Sequence, residues 1–157
     1  MGQYFKAVNL DRREVICPWC LGGGAKFFEW CSNIHGTVWC FLLRKSTGCG
    51  GGDISNSNPI VVNIDTEDVT EAHRIFQDAV NYALSCEGDP VQIPEDAMVG
   101  RWAGQRVMLI GDYDESGLWN KLPGYRNISR EVVEEWNRHI PIDDMQLEFN
   151  EECSCND

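Results

Sequence analysis

The stretch CPWCLGGGAK at residues 17–26 constrains the fold of this chain more than any other. Two thiols, Cys17 and Cys20, stand at the spacing with which one tight turn presents two sulfurs to a metal ion. Pro18 restricts the backbone of that turn, and the three glycines after it disfavour a helix running through Cys20. One turn supplies half of a tetrahedral site, so the other ligands must come from elsewhere in the chain.

The nearest cysteines and histidines are the first candidates for the missing pair. Cys31 and His35 give the compact spacing C-x2-C-x10-C-x3-H, and Cys40 with Cys49 is the competing pair. The sequence therefore predicts a structural zinc site with the following ligands: Cys17, Cys20, Cys31 and His35. Four protein ligands leave no open position, so such an ion would hold the fold and perform no chemistry.

Other interpretations of the same stretch remain open. The cysteines are equally well explained as buried free thiols that behave as small apolar residues. The CPWC turn also resembles a thioredoxin-type redox motif, although the glycines disfavour the helix that this motif requires. A third hypothesis is an anion site in which a glycine-rich loop leads into a helix. Its residues would be Gly22, Gly23, Gly24 and Lys26.

A second motif lies at residues 112–117, which match the first half of a calcium-binding loop. Asp112, Asp114 and Ser116 would supply oxygens, and Gly117 would make the sharp turn. Position 12 of the loop is Pro123, where a bidentate glutamate is needed. The segment is thus either an acidic turn after a strand or a weak calcium or magnesium site.

Composition and charge exclude several classes of protein. The net charge of −12 opposes direct binding to the nucleic-acid backbone, which a basic surface favours. The chain contains no apolar run near the ~20 residues that span a bilayer and no apolar signal core at its start. We therefore expect a cytoplasmic protein without a membrane partner. In that compartment its eight cysteines would be reduced or bound to metal.

The hydrophobic pattern predicts an α+β fold with a mainly antiparallel sheet and two to three helices. We expect one domain over residues 1–150 and an acidic, mobile tail over 151–157. The most regular segment is a helix at 67–86, with capping residues at 65–68 and a buried stripe that begins at Val69. The predicted strands are 3–10 and 14–16, which form a hairpin, and 37–43, 60–64, 106–110 and 145–149, with a buried helix as the alternative at 37–43. Further predicted elements are a helix at 25–32, a loop at 46–59 and a last helix capped by Ser129.

Several segments resemble those of a loose group of small uncharacterised proteins from bacteria and their phages. The resemblance rests on residues 1–10, 22–26, 101–106 and 111–114. It implies no activity, but the phage connection suggests a counter-defence or host-takeover protein. The CPWC turn alone also resembles half of a zinc ribbon, which implies a structural metal.

We interpret the chain as a non-enzymatic, acidic binding module, stabilised by zinc, that engages a protein partner or a small ligand. The alternative is an enzyme or ligand-binding protein that acts on a phosphorylated or nucleotide substrate. Its cleft would combine Asp112 and Asp114 with Arg106, and with the glycines at 22–24 and 50–52. A third hypothesis is a mimic of nucleic acid, with the acids arrayed on one face. The sequence does not determine the oligomeric state.

Overall fold

The computed structural model describes residues 2–45, 66–84, 95–140 and 143–156. The chain divides into two compact units. The first comprises Met1–Lys45, Asp96–Trp136 and Leu147–Asp157, and the second comprises Ser46–Glu95 and Asn137–Gln146. Among the described residues, no helix has the length and apolar character needed to cross a bilayer.

The described part of the first unit contains a four-stranded sheet in the order β3-β1-β2-β4. The strands are β1 (Phe5–Asn9), β2 (Glu14–Ile16), β3 (Val107–Gly111) and β4 (Arg126–Asn127). β1 pairs antiparallel with β2 and with β3, while β2 pairs parallel with β4. The sheet is therefore mainly antiparallel, as the sequence predicts.

A tight turn joins β1 and β2 into the predicted hairpin. The Asn9 side chain shapes this turn, because its Oδ1 accepts hydrogen bonds from the amides of Asp11 and Arg12, each at 2.9 Å. Arg13 then takes a left-handed conformation with φ of 55°. Side-chain bonds of this kind let Asn replace regular backbone pairing at turns.

Alternating residues of the strands build the core on one face of the sheet. Val8, Val15 and Ile110 lie on that face and pack with Leu122, and all four are buried. Leu122 comes from a 3-10 turn, Trp119–Gly124, that covers the strands. The alternation of side chains along each strand places Glu14 and Ile16 on the opposite face.

The described residues also contain four α-helices: α1 (Glu29–Ser32), α2 (Ile34–Leu43), α3 (Val69–Leu84) and α4 (Ser129–His139). Three of them have ten or more residues, and α1 is a single turn. Together with the sheet they confirm the α+β class.

Residues 37–43 belong to helix α2, so the predicted strand there is wrong. The helix begins three residues earlier, where Asn33 caps it by accepting a hydrogen bond from the amide of His35 at 3.1 Å. Gly36 brings the helix close to α1, since an added Cβ would lie 2.9 Å from the carbonyl oxygen of Trp30. The apolar run fits a buried helix as well as a strand, and the local cap decides between them.

Helix α3 lies in the second unit, where its start follows the predicted capping logic. Asp68 Oδ1 accepts hydrogen bonds from the amides of Thr70 and Glu71 at 2.8 and 3.3 Å. Val69 is 82% exposed, so it is not part of a buried stripe. Side chains of a helix point back towards its N-terminus, so a residue in the first turn extends beyond the helix. The helical periodicity alone therefore predicts burial wrongly at this position.

Two predictions for the later chain need correction. Asn127, and not Ser129, caps the start of α4, because its Oδ1 accepts a hydrogen bond from the Ser129 amide at 3.1 Å. Residues 145–149 form no strand; a 3-10 turn, Asp143–Met145, precedes an irregular segment. The loop predicted at 46–59 and the strand predicted at 60–64 lie outside the described residues.

Candidate metal centre

Four cysteine sulfurs converge in the first unit. They belong to Cys17, Cys20, Cys153 and Cys155, and all lie within 4.8 Å of one another. The first three residues are buried and Cys155 is exposed. This is the one group of three or more metal-binding side chains within the part of the chain that the structure describes.

The distances between sulfurs match a metal site better than disulfides. The Sγ atoms of Cys17 and Cys153 lie 3.9 Å apart, those of Cys20 and Cys155 3.2 Å, and those of Cys153 and Cys155 3.1 Å. A disulfide requires about 2.05 Å. A tetrahedron with Zn–S bonds of about 2.3 Å has edges of about 3.8 Å, so small movements would complete it.

The first pair of sulfurs comes from the turn that follows β2. Cys17 is extended, and a 3-10 turn, Pro18–Leu21, folds Cys20 back so that its amide donates to the Cys17 carbonyl at 3.1 Å. Gly22 ends this turn with φ of 99°, a conformation that favours glycine. The Pro-and-Gly composition of the stretch thus places both sulfurs on one side of the turn.

The second pair comes from the segment 147–156, which docks on the same turn. The Asn150 amide donates to the carbonyl of Cys20 at 2.8 Å, and the Asn150 side chain donates to the carbonyl of Trp19 at 3.2 Å. The Cys153 amide in turn donates to the carbonyl of Asn150 at 3.4 Å. These contacts align Cys153 and Cys155 with the first pair.

Arg130 of α4 holds the same segment from the side. Its guanidinium lies 4.4 Å from the centre of the Phe149 ring and forms a two-pronged ion pair with Glu151. The Glu151 carboxylate raises the pKa of Arg130, and the Arg130 guanidinium lowers that of Glu151. Both groups are exposed to solvent, so this pair guides docking more than it stabilises the fold.

Parallel pairing of β2 with β4 brings a second set of polar groups to the sulfurs. Val15 lies opposite Asn127, so Cys17 comes opposite Ser129, and the Cys17 amide donates to Ser129 Oγ at 2.9 Å. Ser129 Oγ donates to Asn127 Oδ1 at 2.6 Å. Asn127 Nδ2 then faces the Sγ atoms of Cys20 and Cys155, at 3.4 Å from each. Such hydrogen bonds orient the ligands of a metal.

The electrostatics of the cluster oppose ionisation of all four thiols without a cation. Burial raises the pKa of Cys17 to about 11. Cys155 is an exposed residue, but partial burial of its thiol, together with the neighbouring thiols, raises its pKa as well. Burial also acts to raise the pKa of Cys153, but hydrogen bonds from Cys155 and the other thiols outweigh it and lower that pKa. A divalent cation would remove the mutual repulsion of the thiolates and so favour their deprotonation.

The donor set narrows the kind of metal that fits. Four thiolates within 4.8 Å of one another suit zinc, or iron in a sulfur-rich site, and do not suit magnesium or calcium, which require oxygen ligands. Four protein ligands also fill the coordination sphere, so no position remains for a substrate. The geometry therefore supports a structural metal site, and the identity of the ion is a separate question.

The structure brings together only half of the predicted zinc ligands. Cys17 and Cys20 are in the cluster, but Cys31 and His35 are not. Cys31 is exposed in α1, and Cys40 is exposed in α2. Cys49 lies outside the described residues.

His35 packs near the CPWC turn but is not part of the cysteine cluster. Its Nδ1 lies 2.7 Å from Asn33 Oδ1, and its ring contacts that of Trp30 with centroids 5.3 Å apart. Its buried Nε2 has no hydrogen-bond partner among the described residues. Burial lowers the pKa of His35, although the carbonyls of Pro18 and Gly23 act in the opposite direction.

The acidic turn at 112–117 uses its carboxylates for local structure. Asp112 Oδ1 accepts a hydrogen bond from the Tyr4 amide at 3.1 Å, and Asp114 Oδ2 accepts one from the Ser116 amide at 2.9 Å and another from its hydroxyl. Arg106, proposed as their catalytic partner, instead pairs with Asp11, with 2.7 Å between Nε and Oδ1. The Arg106 amide and side chain lower the pKa of Asp11.

The glycine-rich step at 22–24 differs from an anion-binding loop. Gly24 backs onto aromatic rings, since an added Cβ would lie 2.8 Å from the Tyr4 ring and 3.1 Å from that of Trp19. The helix that follows, α1, is a single turn, too short to concentrate a dipole. The Lys26 amide near its start already donates to the Glu29 carboxylate at 2.5 Å.

The segment predicted to be a mobile tail, 151–157, contains the two clustered cysteines that the sequence did not predict as candidates. Cys153 is buried within it, with Phe149 packed beside the sulfurs. The C-x-C spacing of Cys153 and Cys155 is itself a metal-binding signal. The acidic residues of this segment and its place at the end of the sequence instead indicated a mobile tail.

Comparisons of the whole chain with family models, with curated proteins and with solved structures find no match.

Proposed function

We propose that this chain is a structural-zinc binding module in which one Zn²⁺ fixes the segment 147–156 against the CPWC turn. One observation carries the proposal: four cysteine sulfurs from two distant parts of the sequence lie within 4.8 Å of one another. A zinc ion bound by four thiolates stabilises a fold outright and leaves no site for catalysis. Reduced thiols that bind zinc also fit a cytoplasmic protein.

Metal analysis tests the zinc half of this proposal. Protein purified without added metal should contain about one zinc per chain. Serine at both Cys153 and Cys155 should reduce the zinc content close to zero. The matched control replaces the exposed Cys31 and Cys40 by serine and should retain the metal. Zinc well below one per chain in the unmodified protein would contradict the proposal.

The binding half rests on two exposed aromatic side chains that follow the CPWCLGGGAK stretch in the sequence. Phe27 and Phe28 are 60% and 62% exposed, although phenylalanine side chains are usually buried. With a net charge of −12, the chain would favour a partner whose surface is basic and partly apolar. We therefore propose a protein partner that covers this aromatic pair.

Affinity capture from a cell lysate tests that surface. The unmodified chain should retain a partner that the double variant Phe27→Ser, Phe28→Ser loses, and retention should weaken as the salt concentration rises. The control variant Tyr113→Ser removes an aromatic residue of similar exposure in the acidic turn. Equal capture by all three proteins would contradict a role for the aromatic pair.

A further inference from the structure

One of the four clustered cysteines is a residue exposed to solvent. Cys155 is exposed, whereas Cys17, Cys20 and Cys153 are buried. The Cys155 sulfur lies 3.1 Å from that of Cys153 and 3.2 Å from that of Cys20. An accessible sulfur with a neighbouring thiol in reach is the arrangement in which oxidation produces a disulfide.

We propose that a hydroperoxide oxidises this centre, beginning at Cys155, and thereby releases its metal and the segment that the metal holds. The inference rests on the proposed zinc site and names how that site is regulated. Zinc has no redox chemistry of its own, so the electrons must come from the sulfurs. The ion leaves as Zn²⁺ because two of its ligands disappear.

The chemistry balances with hydrogen peroxide as the oxidant. The Cys155 thiolate attacks one peroxide oxygen, which breaks the O–O bond, forms a sulfenic acid and, with one proton, releases water. The Cys153 thiolate then attacks the Cys155 sulfur, which forms the S–S bond and, with a second proton, expels the sulfenic oxygen as water. Two thiolates, one peroxide and two protons thus become one disulfide and two waters.

Cys153 is the resolving residue because its proximity to Cys155 does not depend on the fold around it. The two residues are separated only by Ser154 and stay close after the segment leaves. Cys20 is near Cys155 only while Asn150 holds the segment on the CPWC turn. Two sulfurs remain at Cys17 and Cys20 after oxidation, which is too few for a stable site.

The test starts from zinc-loaded protein and adds hydrogen peroxide in steps. A colorimetric chelator measures free zinc, and peptide mapping by mass spectrometry identifies the disulfide. We expect about one zinc released per chain, a Cys153–Cys155 disulfide, and recovery of zinc binding after treatment with a thiol reductant. Amide exchange over residues 147–156 should accelerate together with zinc release.

Two variants assign the reaction to Cys155. Cys155→Ser should slow peroxide-driven zinc release about tenfold, because the remaining ligands are buried. The double variant Cys31→Ser, Cys40→Ser, which removes two exposed thiols outside the cluster, should release zinc at the unmodified rate. If Cys155→Ser binds no zinc, a sulfenic-acid probe on the unmodified protein replaces it and should label Cys155 first.

Three results would overturn the inference while zinc binding stands: zinc retained under peroxide, a disulfide between Cys20 and Cys155, or first labelling at another cysteine. Protein that contains no zinc before peroxide is added would overturn both the proposed function and this inference. The initial metal analysis therefore separates the two failures.

Discussion

Glu14 and Cys17 lie three residues apart, yet the polar groups around them are satisfied in opposite ways. The buried Glu14 carboxylate accepts hydrogen bonds from Arg101, at 2.5 to 3.0 Å, and from Trp102 Nε1 at 2.9 Å. Cys17 faces three other thiols. The carboxylate has its counter-charge within the chain, whereas at the four clustered thiols a bound cation would supply one.

The Glu14 network is thus satisfied by side chains of the protein itself, whereas the cysteine cluster has the character of a binding site for a cation. Burial acts to raise the pKa of Glu14, but the hydrogen bonds from Arg101 and Trp102 outweigh it and lower that pKa. Glu14 is therefore a charged core residue that needs nothing from solution. At the sulfurs, burial raises the pKa of Cys17 to about 11, which favours a neutral thiol until metal binds. Removal of a bound metal should therefore affect the surroundings of Cys17 and leave those of Glu14 unchanged.

The largest effect is expected from Arg101→Ala. Removing Arg101 leaves the buried Glu14 carboxylate with Trp102 and with the more distant Arg126, at 3.7 Å, and should lower the free energy of unfolding by up to about 3–5 kcal/mol. Urea unfolding measures the loss. The control Arg106→Ala breaks an exposed pair with Asp11 and should change stability little. If Arg101→Ala also abolished zinc binding in folded protein, the two regions would not be independent.

Removal of the metal should come next in size. At free zinc about 1,000-fold above its dissociation constant, binding adds about 4 kcal/mol to the free energy of unfolding. Urea unfolding with and without a chelator measures this increment. The double variant Cys17→Ser, Cys20→Ser should not respond to the chelator. Superimposable curves for the unmodified protein would count against a metal that stabilises the fold.

Asn127→Ala tests the hydrogen bonds that reach the sulfurs. The amide of Asn127 lies 3.4 Å from the Sγ atoms of Cys20 and Cys155, so its loss should weaken zinc binding about 10- to 100-fold. Competition with a chelator of known affinity measures the change. The exposed Asn120, replaced by Ala, is the matched control. An unchanged affinity for Asn127→Ala would show that these contacts do not tune the site.

The smallest effect is expected from pH. The folded state lowers the pKa of Glu14, so its stabilisation is present above the ordinary glutamate pKa of about 4.3 and disappears as the pH falls through the folded value. The slope is at most about 1.4 kcal/mol per pH unit for one proton.

Urea unfolding of Glu14→Gln between about pH 3 and 6 measures this contribution against the unmodified protein. The variant should lose less stability on acidification, and the comparison at each pH cancels acid-driven loss of metal. Exposed Glu115, replaced by Gln, is the control and should follow the unmodified curve. Parallel curves for Glu14→Gln and the unmodified protein would contradict the assignment.

The structural features that depend on a few neighbouring residues could be predicted from the sequence. The hairpin follows from turn residues near Asn9, and the paired sulfurs of Cys17 and Cys20 follow from their spacing and from Pro18. The start of α3 follows in the same way from the capping residue Asp68.

The rest depends on contacts that no local pattern contains. Cys153 is 136 residues from Cys17, and the segment that carries it reads as an acidic tail. Cys31 and His35 have suitable spacing, but helix formation at 34–43 packs His35 against Trp30, outside the cysteine cluster. The strand predicted at 37–43 fails for a related reason, since composition is ambiguous there and the Asn33 cap determines the outcome.

X-ray absorption at the zinc edge tests the central claim most directly, because it counts the atoms bound to the metal. Zinc-loaded protein should show four sulfur ligands at about 2.3 Å and no nitrogen ligand, as expected for a site of four cysteines. Three sulfurs with one histidine nitrogen at about 2.0–2.1 Å would instead match a site of three cysteines and His35. That result would contradict the account, because it would leave one of the four clustered cysteines without a role in the metal centre.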